Sequence, residues 1–174
     1  SNNIISETID IIKNNPKKNI FFGDVAYFER NNFYKVSRFY SAKKFNTKKM
    51  KYGLMPPHPA SFIRRKIYYN YGLYNEDFDI ASDFEIFLKF LVIKKVSFKI
   101  MNKIIVRMRT GGISGKNVLS YLKTTNEILS SFKLNNLNTN YLNIIMRIPA
   151  KLKQILMFSE KEINKTFKIF KILF

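Results

Sequence analysis

Residues 20–40 read Ile20-Phe21-Phe22-Gly23-Asp24-Val25-Ala26-Tyr27-Phe28-Glu29-Arg30-Asn31-Asn32-Phe33-Tyr34-Lys35-Val36-Ser37-Arg38-Phe39-Tyr40. Ile20-Phe21-Phe22 is a short apolar run of the kind that forms a buried strand. It is expected to end at Gly23-Asp24, and Val25 to Phe28 make a second extended run. Arg30-Asn31-Asn32 suits a hairpin turn, because asparagine tolerates positive φ. Phe33 to Tyr40 then read as the returning strand. Upstream, Ile4, Ile5, Ile9, Ile11 and Ile12 recur near helical spacing until Asn14-Asn15-Pro16, which predicts a helix over residues 2–14. Helix, buried strand and hairpin specify an α/β protein with a mixed sheet flanked by helices.

The 174 residues fit one domain or part of a larger one. Lys and Arg number 31 against 12 Asp and Glu, giving a net charge of +19, yet 46% hydrophobic and 16% aromatic content is too rich for a disordered tail. The absence of Cys excludes disulfides and thiolate metal sites, and a single His excludes a His-rich zinc site. Any metal would need carboxylates. No apolar run approaches the ~20 residues of a membrane span, and Ser1 to Ile5 lack the basic and apolar parts of a secretion signal. Lys outnumbers Arg 24 to 7, whereas base readers lean on Arg, so no nucleic-acid partner is expected.

Further along, three prolines in Met55-Pro56-Pro57-His58-Pro59 forbid helix and central strand and predict an ordered extended loop around the sole His. Ser61-Phe62-Ile63 fits a short strand, and Arg64 to Tyr71 a short helix closed by Gly72. Ser82-Asp83-Phe84-Glu85 has the form of a capping box, with Ser82 as N-cap and Glu85 at the third helical position. Phe84, Phe87, Leu88 and Leu91 then share one helical face. Val96 to Ile100 and Ile104 to Met108 read as two strands separated by Met101-Asn102-Lys103. Thr110 to Gly115 form a loop, and a helix follows from Asn117 to Phe132. Beyond an Asn-rich stretch at 135–143, Leu152, Ile155, Leu156, Ile163, Phe167, Phe170 and Phe174 make an apolar stripe, with Lys161, Lys165 and Lys168 on another face.

Five of the 12 acids, Glu76, Asp77, Asp79, Asp83 and Glu85, fall within ten residues. A solvated loop and a helix-dipole role account for them. The functional alternative makes Asp83 a general base: a carboxylate at the first helical position projects past the helix end toward a cleft. Asp24, at an expected strand end, sits where α/β ligand sites gather, though it serves equally to cap the turn.

Four blocks now stand in one order: Gly23-Asp24-Val25; Met55 to Pro59; Tyr71-Gly72-Leu73-Tyr74 with Phe78-Asp79-Ile80-Ala81-Ser82-Asp83-Phe84; and Arg107-Met108-Arg109-Thr110-Gly111-Gly112-Ile113-Ser114. That order resembles the C-terminal half of bacterial family 2 glycosyltransferases of the GT-A fold, the type that builds O-antigen and capsule polysaccharide. The resemblance covers residues 1–130 and, more loosely, the basic tail. It implies an inverting transfer from a nucleotide-sugar donor to a glycan or lipid-linked acceptor, in the cytoplasm or on the inner face of the cytoplasmic membrane. It implies a divalent metal, Mg or Mn, in the complete enzyme, and Asp83 as the catalytic base. His58 would contact the donor phosphate or the metal. Arg107 and Arg109 alternate on a strand, so one is expected to face the cleft. Gly111, Gly112 and Ser114 would belong to a lid over the diphosphate.

The family's nucleotide-binding strands and its Asp metal motif have no counterpart here; Asp77-x-Asp79 lies in the loop before the acceptor helix. The expectation is therefore an acceptor-side part over 1–115, a helical extension over 116–174, and a donor-binding half ahead of residue 1. The alternative is a basic membrane-surface or partner-binding module without catalysis, in which residues 145–174 meet anionic lipid.

Overall fold

A computed structural model describes residues 3–29, 31–111 and 118–149. The protein is a mixed α/β structure whose four strands form one mixed sheet flanked by helices. Helix α1 spans Ile4–Lys13, and strand β1 spans Ile20–Glu29. β1 is the central strand. On one side it pairs antiparallel with β2 (Asn32–Tyr40) through Val25–Glu29, and with β3 (Ser61–Ile63) through Ile20–Phe22. On the other side it pairs in parallel with β4 (Phe98–Arg109). Short helices α2 (Arg65–Tyr71) and α3 (Ser82–Phe87) lie between β3 and β4, and α4 (Val118–Leu134) and α5 (Tyr141–Ile145) follow.

Two expected strand pairs are each one strand. β1 does not end at Gly23-Asp24, because Asp24 is buried inside the strand and its Oδ1 accepts the Ala42 N–H at 2.7 Å. β4 runs through Met101-Asn102-Lys103 because the ladder absorbs the irregularity. Between the pairs Phe22↔Ile100 and Asp24↔Ile104, β4 carries two extra residues, and Asn102 there has φ +52°. A further residue, Ile105, is extra before Val25↔Val106. Its side chain crosses over Gly23, where a Cβ would lie 2.1 Å from Ile105 Cγ1. Glycine is a packing requirement at that point.

The main core joins Ile20 and Phe22 of β1 to Phe84, Ile86 and Phe87 of α3 and to Leu88, Phe90 and Leu91, where α3 continues as a π-helix over Leu88–Ile93. Phe22 meets Phe87 edge-to-face at a centroid distance of 5.6 Å. Ile128 and Phe132 of α4 and Ile144 of α5 belong to the same core. Arg147 is almost fully buried, yet it donates to the Tyr121 hydroxyl at 2.9 Å, the Tyr121 carbonyl at 3.2 Å and Thr125 Oγ1 at 2.6 Å, which ties the segment after α5 to α4. No helix among the described residues is long and apolar enough to cross a membrane. The stripe and lysines of the tail from residue 150 lie outside the described residues.

Asp24 makes a pH dependence visible. Burial raises its pKa above 3.8, against the lowering effects of Ala42, Ser41 and Lys43. The folded state therefore holds the proton to higher pH than the unfolded chain. This contribution to stability is fully present below 3.8 and is lost as pH rises through the raised folded value. Urea unfolding at several pH values should show this component in the wild type and not in Asp24→Asn. Equal pH profiles for the two proteins would contradict it.

Candidate functional site

Pro56 and Pro57 are buried and set the backbone entering His58, which opens a 3-10 turn over His58–Ala60 rather than a fully extended loop. The His58 ring lies edge-on against Phe87 of α3 at 5.6 Å and Tyr74 at 6.0 Å. Its Nε2 is hydrogen-bonded to the Tyr74 hydroxyl at 2.9 Å. Its Nδ1 faces Asp83 Oδ2 at 3.7 Å, an ion-pair separation rather than a hydrogen bond. The two side chains are 36% and 34% exposed, enough for an incoming molecule to reach the carboxylate. The structure thus brings together His58 and Asp83 from separate sequence blocks.

The start of α3 is not held by a capping box. The N-cap position is Ala81, and no side chain within the helix caps it. Instead Glu127 of α4 reaches across, its Oε2 accepting the N–H groups of Ile80 at 2.9 Å and Ala81 at 2.7 Å. Asp83 Oδ1 accepts the N–H of Phe84 at 2.7 Å, which fixes the carboxylate and leaves Oδ2 toward His58. Glu85 is fully buried. Its Oε1 meets Lys89 Nζ and Asn135 Nδ2, both at 3.3 Å, so it is turned into the helix packing and away from any substrate. Glu127→Ala should leave the two N–H groups near Asp83 without their acceptor and lower stability by about 1–3 kcal/mol. Glu127→Gln, which keeps an acceptor oxygen, should lose less. Chemical denaturation of the two variants checks this.

Tyr74 bonds His58 directly, and a second phenol, Tyr40, holds the segment leading to it. Tyr40 donates to the carbonyl of Met55, three residues before His58. Burial chiefly raises its pKa, with Tyr27 and Asp83 adding to the effect and Arg38 opposing it. Burial also raises the Tyr74 pKa, followed by its contacts with Tyr68 and the charge of Asp83. Both phenols stay protonated at neutral pH, so they act as hydrogen-bonding groups. Neither was singled out by sequence; the only signal was Tyr74 inside the Tyr71-Gly72-Leu73-Tyr74 block.

The remaining candidates lie elsewhere. Asp24 is engaged inside β1 with Ala42, a structural role rather than a strand-end ligand. Arg107 and Arg109 do not alternate between faces: two residues apart on a strand, they share one. They pair with Ala26 and Phe28, and the Arg107 guanidinium stacks 4.3 Å from the Phe28 ring centroid. That is the sheet face opposite Tyr27 and Arg38. Gly111, at φ +114°, supplies the left-handed residue after β4. Gly112 and Ser114 lie outside the described residues.

Of the acidic side chains among the described residues, only Asp83 lies within ion-pair distance of His58. Among the described residues no three His, Asp or Glu side chains converge to share an ion. Asp79 is paired with Lys123 of α4, and Asn75 Oδ1 accepts the backbone N–H of Asp77. The divalent metal implied by the resemblance has no ligand set among these residues, and no step below runs through one. A cleft of about 400 Å³ walled by Lys48, Lys51, Leu88 and Phe132 contains none of the candidate residues.

No protein-family model and no curated protein sequence matches the chain.

Proposed function

We propose that the chain carries the acceptor-side half of an inverting glycosyltransferase of cell-surface polysaccharide synthesis, with Asp83 as general base and His58 as the residue that positions it. The observation that carries this reading is the approach of Asp83 Oδ2 to His58 Nδ1 at 3.7 Å, with Tyr74 fixing the other side of the imidazole. In the reaction, Asp83 Oδ2 takes the proton of an acceptor hydroxyl as its oxygen attacks the anomeric carbon. The bond from that carbon to the nucleoside diphosphate breaks on the opposite face, so the configuration inverts. The order of the four sequence blocks supports the substrate class, a nucleotide-sugar donor and a glycan or lipid-linked acceptor.

The proposal includes a donor-binding half ahead of residue 1. The purified 174 residues should then show no transfer and bind UDP- and GDP-sugars poorly. Release of nucleoside diphosphate by these residues alone, or tight nucleotide-sugar binding, would overturn it. The positive test joins them to the segment encoded directly upstream and assays a panel of nucleotide-sugars with hydroxyl acceptors. A strand-rich upstream segment ending in paired aspartates, with transfer, is the expected result. Failure of every donor to transfer despite such a segment would sink the reading.

The apolar stripe within residues 152–174, with Lys161, Lys165 and Lys168 on another face of the sequence pattern, supports a peripheral association with anionic membrane, each Lys contributing about 1 kcal/mol. Co-sedimentation with vesicles should rise with anionic lipid content and disappear on deleting residues 150–174.

A further inference from the structure

We propose that Arg38 is an oxyanion-binding residue beside the Asp83–His58 pair, taking the carboxylate or phosphate oxygens of a molecule that binds there. Strand pairing sets Arg38 opposite Tyr27. The guanidinium carbon lies 4.4 Å from the Tyr27 ring centroid and 5.7 Å from that of Tyr40. Contact through the ring faces fixes the cation and leaves its edge for an acceptor lying in its plane.

That acceptor is missing among the described residues. No carboxylate there is within ion-pair reach of Arg38, and its buried Nε has no hydrogen-bond partner. The contrast with other arginines is direct. Arg64 donates to the Lys18 carbonyl at 2.8 Å and the Ile12 carbonyl at 3.1 Å, and Arg147 donates to Tyr121 and Thr125. A buried N–H without an acceptor is costly to keep, and such groups in a folded protein call for an explanation. Two oxygens of one anion match the two-pronged edge of a guanidinium.

The location joins this edge to the candidate site. Arg38 and Tyr40 are two residues apart on one face of β2, and Tyr40 holds the Met55 carbonyl at the entry to the His58 turn. The Arg38 guanidinium lies near the Tyr40 ring, and the charges of Arg38 and Asp83 act on its phenol with opposite sign. A substrate that offers a hydroxyl to Asp83 and an anionic group to Arg38 would span the two. That link to substrate rests on the reading proposed above; oxyanion binding itself does not.

The test follows the arginine Nε–H signals of ¹⁵N-labelled protein during titration with inorganic phosphate and, separately, with glucuronate, at constant ionic strength. The expected result is a saturable shift at Arg38, with Arg64 and Arg147 unmoved. Phosphate alone acting identifies a phosphoryl group, glucuronate alone a carboxylate. Arg38→Lys keeps charge and stem but loses the two-pronged edge, and should weaken binding about tenfold or more. Arg38→Met should abolish it, and Asp83→Asn, which removes a nearby negative charge, should not weaken it. Binding that survives Arg38→Met, or a linear shift shared by all arginines of this +19 chain, would overturn the proposal. An unmoved Arg38 signal in the wild type would do so without any variant.

Discussion

Asp83→Asn is expected to lower glycosyl transfer by about 10²–10⁴-fold, the usual worth of a positioned general base. The assay belongs in protein that includes the donor-binding half. Asparagine keeps an Oδ1 to accept the Phe84 N–H, so the local backbone should hold its geometry. Loss of the negative charge at the start of α3 should cost only about 0.3–1 kcal/mol of stability. What disappears is the basic oxygen facing His58. Glu85→Gln is the control. Glu85 is buried against Lys89 and Asn135, so this change should register in a denaturation midpoint while turnover stays within a few-fold. Donor affinity should survive in both variants. Near-full turnover by Asp83→Asn, or a dead Glu85→Gln, would remove Asp83 from the role assigned to it.

Gly23→Ala should damage the fold more than any conservative change at the candidate site. A methyl at residue 23 meets Ile105 Cγ1 at 2.1 Å, Ile105 Cβ at 3.1 Å and the Lys103 carbonyl oxygen at 3.2 Å. Truncating Ile105 to alanine removes the first contact, whereas the Cβ of residue 105 and the Lys103 carbonyl remain. Overpacking of this kind costs about 1–3 kcal/mol, occasionally more. Gly23→Ala combined with Ile105→Ala should therefore recover part of the loss, with a coupling of about 0.5–3 kcal/mol in a double-mutant cycle. Urea unfolding of the four proteins measures it. Strict additivity would mean that Ile105 does not press on residue 23.

The elements legible in the sequence were those decided by local chemistry. Gly72 does close α2, at φ +95°, and Ser61–Ile63 is a strand, because turn and strand preferences there face no competitor. Gly23-Asp24 looked like a turn for the same local reasons. Its real role depends on Ala42 and Ile105, which reach it only in the folded sheet. The capping box failed likewise: Glu127, more than forty residues further along, serves the approach to α3 and leaves Glu85 to the interior. His58 and Asp83 were each visible as candidates, one from its prolines and one from its place at a helix start. Their meeting was not visible, because it depends on how α3 packs against the turn that carries His58. Arg38 gave no sequence signal, since an arginine on a strand says nothing about whether an acid lies within reach.

Ile20 pairs with Phe98, 78 positions further along, and no nearer segment occupies that side of β1. During synthesis the strand Ile20-Phe21-Phe22 leaves the ribosome long before its parallel neighbour exists. At translation rates of about 5–20 residues per second, the interval is roughly 4–16 s. The β2 hairpin can close on one edge within microseconds, but the other edge waits as an apolar, hydrogen-bonding surface for the whole of that time. Until residue 109 has emerged, that edge is open to pairing with another chain.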